Sequence, residues 1–276
     1  MIFGCIIGLS LLLYPTVSDY WNSKYVTHAI VDYVARMEEL DETDYQSVWE
    51  EAKQYNADLR GQFNAFYLSE ELRMRYSSCL NVGGDGLMGY IEIPKIDVIL
   101  PVYHGVSDSV LQSAVGHIEW TSLPTGGVGT HCVLSGHRGL LNAKLFTDLD
   151  RMIEGDTFSL NVLGEALVYE VDQIRTVEPT DVGELSIEDD EDYCTLLTCT
   201  PYGINTHRLL VRGHRIEASL ADDLHIISEA VEVDPVIVAP ILAAPILFIL
   251  LMAVLLKKPE KKRSQEEIIE EIKEKQ

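Results

Sequence analysis

The chain has 276 residues, room for one medium-sized domain with additional segments, and carries 21 Lys or Arg against 44 Asp or Glu, a formal charge of −23. That excess of negative charge argues against binding nucleic acid through its phosphates. The charge is unevenly spread: the tail after Leu256 holds seven basic and six acidic residues, leaving 14 basic and 38 acidic before it, a net −24.

In chain order, Ile2 to Val17 is apolar and short, with no basic residue before it. It reads as a signal peptide, a signal anchor or the end of a longer segment. With no small-residue cleavage site before Asp19, residues 1–17 are taken as an uncleaved anchor whose N-terminus is inside. A helical region spans residues 18–86. Val26, Ile30, Tyr33, Val34, Met37 and Leu40 repeat at steps of three and four, one face of a helix. Thr43 with Gln46 resembles a capping box, predicting a second helix that turns Val48, Trp49, Ala52, Tyr55 and Leu59 inward. From Gly61 to Gly86 the period is weak and ends in a glycine cluster.

From Leu87 the pattern changes to short strands. MGYIEIP, DVILPVY, THCVLSG, FSLNVLG, LVYEVDQIRTV, YCTLLTC and RLLVRGH are separated by Pro, Gly, Asn and Asp, which predicts an all-β barrel or sandwich over residues 87–217. Short helices are expected at Asp108 to Ala114 and at Ala143 to Asp150. Residues 218–235 read as a stalk. Val236 to Leu256 then runs 21 residues without a charge, enough to cross a bilayer as a helix, with a buried core helix as the competing reading. Lys257, Lys258, Lys261, Lys262 and Arg263 follow it, so the positive-inside rule puts the tail, residues 257–276, in the cytoplasm and residues 18–235 outside.

The five cysteines, Cys5, Cys79, Cys132, Cys194 and Cys199, form neither a disulfide framework nor a zinc spacing. Cys199 is the candidate nucleophile. It ends an apolar strand before a turn containing Pro201, Gly203 and Asn205, and the hairpin sets it opposite Arg208, whose guanidinium stays charged. An ordinary core cysteine is the competing reading. Strand alternation turns Cys194 to the face opposite Cys199, and Cys132 to the face opposite His137. Breaking an amide with a thiol also needs an acid for the leaving amine and donors for the oxyanion. His137 is the candidate acid: LSGHRG stops a strand at Gly136 and bends again at Gly139, exposing the ring. A surface-loop histidine is the alternative, and His207 is the rival. Arg208 suits the oxyanion, or else pairs with a carboxylate on an acidic surface. No acidic residue near His137 offers a third triad member.

TLLTC at 195–199, an arginine nine positions after the cysteine and a histidine in LSGHRG resemble the sortases, the membrane-anchored cysteine transpeptidases of Gram-positive bacteria. GYIEIPKI at 89–96, LPVYHG at 100–105, KLFTDLD at 144–150 and TCTPYGINTHRLLVRG at 198–213 look most like the pilin-polymerising class, class C. The resemblance implies a closed eight-stranded barrel, with the helical region and two transmembrane helices around it; no cofactor or metal is expected, since the sequence offers no metal-ligand spacing. It implies that Cys199 attacks the Thr-Gly bond of an LPXTG-like sorting signal, that His137 protonates the leaving amine and that Arg208 holds substrate and oxyanion. A lysine of the next pilin subunit would then resolve the thioester. Leu197 and Ser135, on the faces of Cys199 and His137, become substrate-pocket candidates. The expected partners are pilins or surface proteins with such signals, and the membrane.

One departure stands out. Enzymes of this class usually carry an Asp-Pro-aromatic lid, and Asn56 to Gly86 contains no Asp-Pro pair. The lid-like role then falls to Phe63, Phe66 or Tyr67, or to nothing, which would leave Cys199 less covered. Anchoring proteins to a peptidoglycan amine, or a silent sortase-like scaffold, remain as other functions.

Overall fold

The computed structural model describes Tyr14 and residues 26–61, 68–140 and 143–217. Apart from Tyr14, both apolar segments expected to enter a membrane lie outside these residues, as do the stalk and the tail. No helix among the described residues is long and apolar enough to cross a membrane.

Residues 26–39 form helix α1 and Glu42–Arg60 form α2. Asp41, not Thr43, caps α2: its carboxylate accepts a hydrogen bond from the Asp44 amide at 2.8 Å, while Gln46 donates to Glu42 instead of closing a box. The inward face of α2 is as expected, with Trp49, Ala52, Tyr55 and Leu59 buried. Asn56 joins them, donating to Leu123 O and Thr125 Oγ1 and accepting from Leu123 N. On α1, Val26 and Tyr33 are buried but Val34 is exposed, since the stripe facing the barrel is narrower than its apolar residues. Tyr33 joins α1 to the barrel through its hydroxyl, which donates to Met88 O at 2.9 Å and accepts from Leu163 N at 2.8 Å. A short α3, Glu70–Tyr76, capped by Ser69, lies in the weakly periodic stretch.

Eight strands follow: β1 Leu87–Ile93, β2 Val98–His104, β3 Val115–His117, β4 Thr130–Ser135, β5 Thr157–Val162, β6 Glu165–Val177, β7 Asp192–Thr200 and β8 His207–Ile216. They close into a barrel in the order β1-β2-β3-β4-β7-β8-β6-β5. Closure leaves no sheet edge unpaired. Seven of these strands coincide with the expected ones. β3 was not expected, because three residues are too few to show an alternation.

Between β2 and β3, α4 at Asp108–Leu111 falls within the expected helix. The other expected short helix is corrected. From Ala143 the chain runs in turns that end in a 3-10 turn at Leu149–Arg151. Leu145 has φ of 40°, and the Phe146 amide donates to His137 O at 3.1 Å, so the i to i−4 ladder does not form.

Alternation along the strands sorts two apolar groups. Cys132, Leu134, Cys194, Leu196, Leu209 and Val211 point into the main core with Phe158, Leu160 and Tyr169. Val133, Leu185 and Leu210 form a second cluster, with Ile118, Trp120, Val177 and Leu197 packed against it. The odd-numbered residues of β7, including Leu197 and Cys199, therefore lie on the outer face of the barrel wall.

Candidate active site

β7 lies between β4, its parallel neighbour, and β8, its antiparallel one. In the β7–β8 ladder Cys199 and Arg208 are direct Cα partners, as the hairpin length predicts. The turn between them is built on Pro201, whose carbonyl accepts from Ile204 N and Asn205 N at 3.0 Å each. Asn205 takes a φ of 63°, a left-handed conformation that asparagine tolerates. One guanidinium nitrogen of Arg208 donates to Asn205 O at 3.3 Å and His207 O at 3.1 Å. Among the described residues Arg208 makes no ion pair, so the alternative of a carboxylate-bound arginine is not what the geometry provides.

On the other side, the β4–β7 register runs from Thr130 opposite Asp192 to Ser135 opposite Leu197. It continues past the end of β4. Gly136 N donates to Leu197 O at 3.0 Å, and Thr198 Oγ1 donates to Gly136 O at 2.7 Å. His137 is the next residue on that strand and Cys199 the next on its neighbour. The structure thus brings the three predicted residues to one end of three adjacent strands: His137 from β4, Cys199 from β7 and Arg208 from β8. All three are partly exposed. Ser135 and Leu197, register partners two residues earlier, are partly exposed too, and Leu197 packs against the second apolar cluster.

Both glycines around His137 have a structural requirement. At Gly136 an added Cβ would lie 2.7 Å from the Phe146 ring, so the close approach needs glycine. Gly139 has φ of 81° and faces Tyr202, whose ring an added Cβ would meet at 2.9 Å.

The remaining described thiols are buried. Burial pushes Cys79 up to about 11 and Cys194 well above its ordinary value, which keeps both as unreactive thiols. Cys199 is the one described cysteine that reaches the surface. His131, on the outer face of β4, is held down to about 4 by burial and stays neutral, with a ring nitrogen 2.8 Å from Ser186 O. His117 is fully buried, its ring nitrogens 2.8 Å from Ser122 O and 3.0 Å from Tyr76 Oη. His207 is exposed, its ring beside Thr206 Oγ1.

Arg138, Asp150 and Tyr202 were not singled out from sequence. Arg138 is ion-paired with Asp150, lies 3.4 Å from Thr200 Oγ1 and stacks 5.7 Å from the Tyr202 ring centroid. Its only trace in the sequence is its place beside His137. Phe63, Phe66 and Tyr67, the candidates for the lid-like role, lie outside the described residues.

Comparison with known proteins bears on the fold and the family. Residues 91–216 match the family model described as Sortase domain. Sortase C1 from Streptococcus agalactiae is 49% identical, with a TM-score of 0.66, over 69% of this chain and 98% of that one. Clostridium perfringens sortase C, solved with the C-terminal cell wall sorting motif, is 43% identical with a TM-score of 0.61, over 69% of this chain and 99% of its own. Among curated relatives, Sortase D of Bacillus subtilis is 28% identical over 131 residues, 46% of this chain and 63% of that protein. The chain thus spans less than two thirds of that relative's length. A closed eight-stranded barrel of this kind is the sortase fold. The chain belongs to the sortase family, and its structural neighbours include class C sortases.

Proposed function

We propose that this protein is a membrane-anchored cysteine transpeptidase that cleaves an LPXTG-like sorting signal and joins the acyl group to a lysine of a pilin subunit. The observation that carries the proposal is the flanking of Cys199 by Arg208 on one neighbouring strand and His137 on the other. Cys199 Sγ attacks the threonine carbonyl carbon, and Arg208 holds the developing oxyanion with a planar fork of donors. The C–N bond to glycine breaks as His137 gives its proton to the leaving amine, which leaves a thioester on Cys199. A neutral lysine amine then attacks that thioester, forming an isopeptide bond, releasing the Cys199 thiolate and passing its proton to the His137 imidazole, which restores the starting pair.

Leu197 and Ser135, partly exposed register partners on the same outer face as the thiol, support docking of the signal beside Cys199. The solved Clostridium perfringens sortase C with a sorting motif supports the same substrate class. Residues 2–17 and 236–256 are proposed to hold the chain in the cell membrane, with residues 18–235 outside and the tail in the cytoplasm. The test is to incubate the full chain, held in detergent or vesicles, with an LPXTG-type peptide and a pilin. Products with wild type and none with Cys199→Ala support transpeptidation. Equal turnover in both removes Cys199 from the mechanism, and cleavage joined only to peptidoglycan amines makes the protein an anchoring enzyme.

A further inference from the structure

We propose that Arg138 is a positioning residue that locks the His137 arm to the Cys199 arm. The proposal rests on the roles given above to Cys199 and His137.

The β4–β7 register has a constant offset of 62 residues, as in Thr198 with Gly136. His137 and Cys199 stand at the same offset, but past the end of β4 no backbone bond holds them side by side. The contact between Arg138 Nη1 and Thr200 Oγ1, 3.4 Å, again has an offset of 62. The reactive pair is therefore bracketed by two cross-links: Thr198 to Gly136 just before it, and Arg138 to Thr200 just after it.

The rest of the Arg138 side chain tightens that bracket. Its guanidinium stacks over Tyr202 of the β7–β8 turn, and the same ring covers Gly139. Asp150, in the 3-10 turn Leu149–Arg151, pairs with its other end. One guanidinium thus ties together the histidine-bearing turn, the residue after Cys199 and the turn leading to Arg208. Only a planar fork of donors reaches an anion, a hydroxyl and a ring face at once.

Arg138 is also a poor choice for stability alone. Its side chain is only 8% exposed, and its Nε is buried with no acceptor. A buried donor left unpaired is a net cost that an apolar side chain of similar volume would avoid. The gain from arginine lies in the fixed geometry of its neighbours.

Arg138→Met keeps the volume and the contact with Tyr202 while removing every donor. With the full chain, an LPXTG-type peptide and an amine acceptor, kcat is expected to fall roughly 10- to 100-fold with KM little changed, since misplacing reacting groups by about an ångström costs on that order. The pH profile of kcat should shift, because the proton donor is no longer held against the leaving amine. The thermal midpoint should stay at or above the wild-type value. Arg138→Lys keeps the charge but not the fork and should restore little, and Thr200→Val should reproduce a smaller loss in kcat. Wild-type kcat and pH profile in Arg138→Met would overturn the proposal. So would an activity loss matched by a fall in folded fraction while Thr200→Val behaves as wild type. If Arg138→Met does not fold, Thr200→Val decides alone. Cys199→Ala is run alongside: full turnover there defeats the transpeptidase reading itself, whereas an inactive Cys199→Ala with an unaffected Arg138→Met defeats only the role of Arg138.

Discussion

Cys199 and Arg208 face each other as register partners in the β7–β8 ladder, so a thiol and a permanently charged guanidinium share one rung of the barrel wall. The Arg208 fork is anchored on the carbonyls of Asn205 and His207 and makes no ion pair among the described residues. In the proposed reaction this guanidinium is the group that meets the substrate oxygen.

Arg208→Ala should therefore lower kcat on an LPXTG-type peptide by about 10²- to 10³-fold, the usual cost of losing an oxyanion donor. Arg208→Lys should recover little of it, because an ammonium cannot reproduce the planar fork. Steady-state kinetics on both variants checks this, and full activity in the lysine variant would point to charge alone.

Gly136→Ala places a methyl group 2.7 Å from Cδ2 of the buried Phe146 ring. Relief has to come from shifting Phe146, whose amide holds His137 O, or the strand end itself. Overpacking of this kind costs about 1–3 kcal/mol. A lower denaturation midpoint is expected together with loss of transpeptidation out of proportion to it, measured by urea titration and peptide turnover.

Tyr33→Phe removes the hydroxyl that links Met88 O and Leu163 N. Both partners stay buried and unpaired, at a cost of about 1–3 kcal/mol. The unfolding midpoint should fall while kcat at moderate temperature is unchanged, since α1 is tied to the barrel away from the Cys199 end of β7.

His131 is held near 4 in the folded chain by burial, with the nearby Arg212 charge acting the same way and its Ser186 hydrogen bond opposing. An unfolded histidine titrates near its ordinary 6.5, so between those values the unfolded state binds the extra proton. The stability is complete above about pH 6.5 and is lost as the pH falls towards 4, up to about 3 kcal/mol for a shift of that size. His104, lowered mainly by burial, acts in the same direction, whereas Asp192, raised by burial, opposes it in the acid range. His131→Gln should flatten the fall in urea midpoint between neutral pH and pH 4 relative to wild type.

Strand positions, the hairpin register and the meeting of Cys199 with Arg208 were legible in the sequence because period-two alternation and turn residues are local signals. Closure of the barrel was legible only through resemblance and the order of its strands was not legible at all, since the parallel β4–β7 pairing joins segments 62 residues apart in the chain. β3 is too short for a pattern. The expected helix from Ala143 failed because a tertiary contact, Phe146 N to His137 O, overrides local propensity. Arg138 stayed hidden for a related reason: its partners at 150, 200 and 202 come from other parts of the chain, and an arginine in a polar loop gives no sign of being buried.

The most direct test of the central claim is intact-mass spectrometry of the full chain quenched during turnover with an LPXTG-type peptide and no added amine. The account predicts an adduct equal to the peptide acyl fragment, mapped to Cys199 and released by hydroxylamine, together with a free glycine-terminated leaving peptide. It also predicts that His137→Ala and Arg208→Ala accumulate far less of the adduct. Peptide cleavage with no adduct at Cys199, or cleavage undiminished in Cys199→Ala, would contradict it.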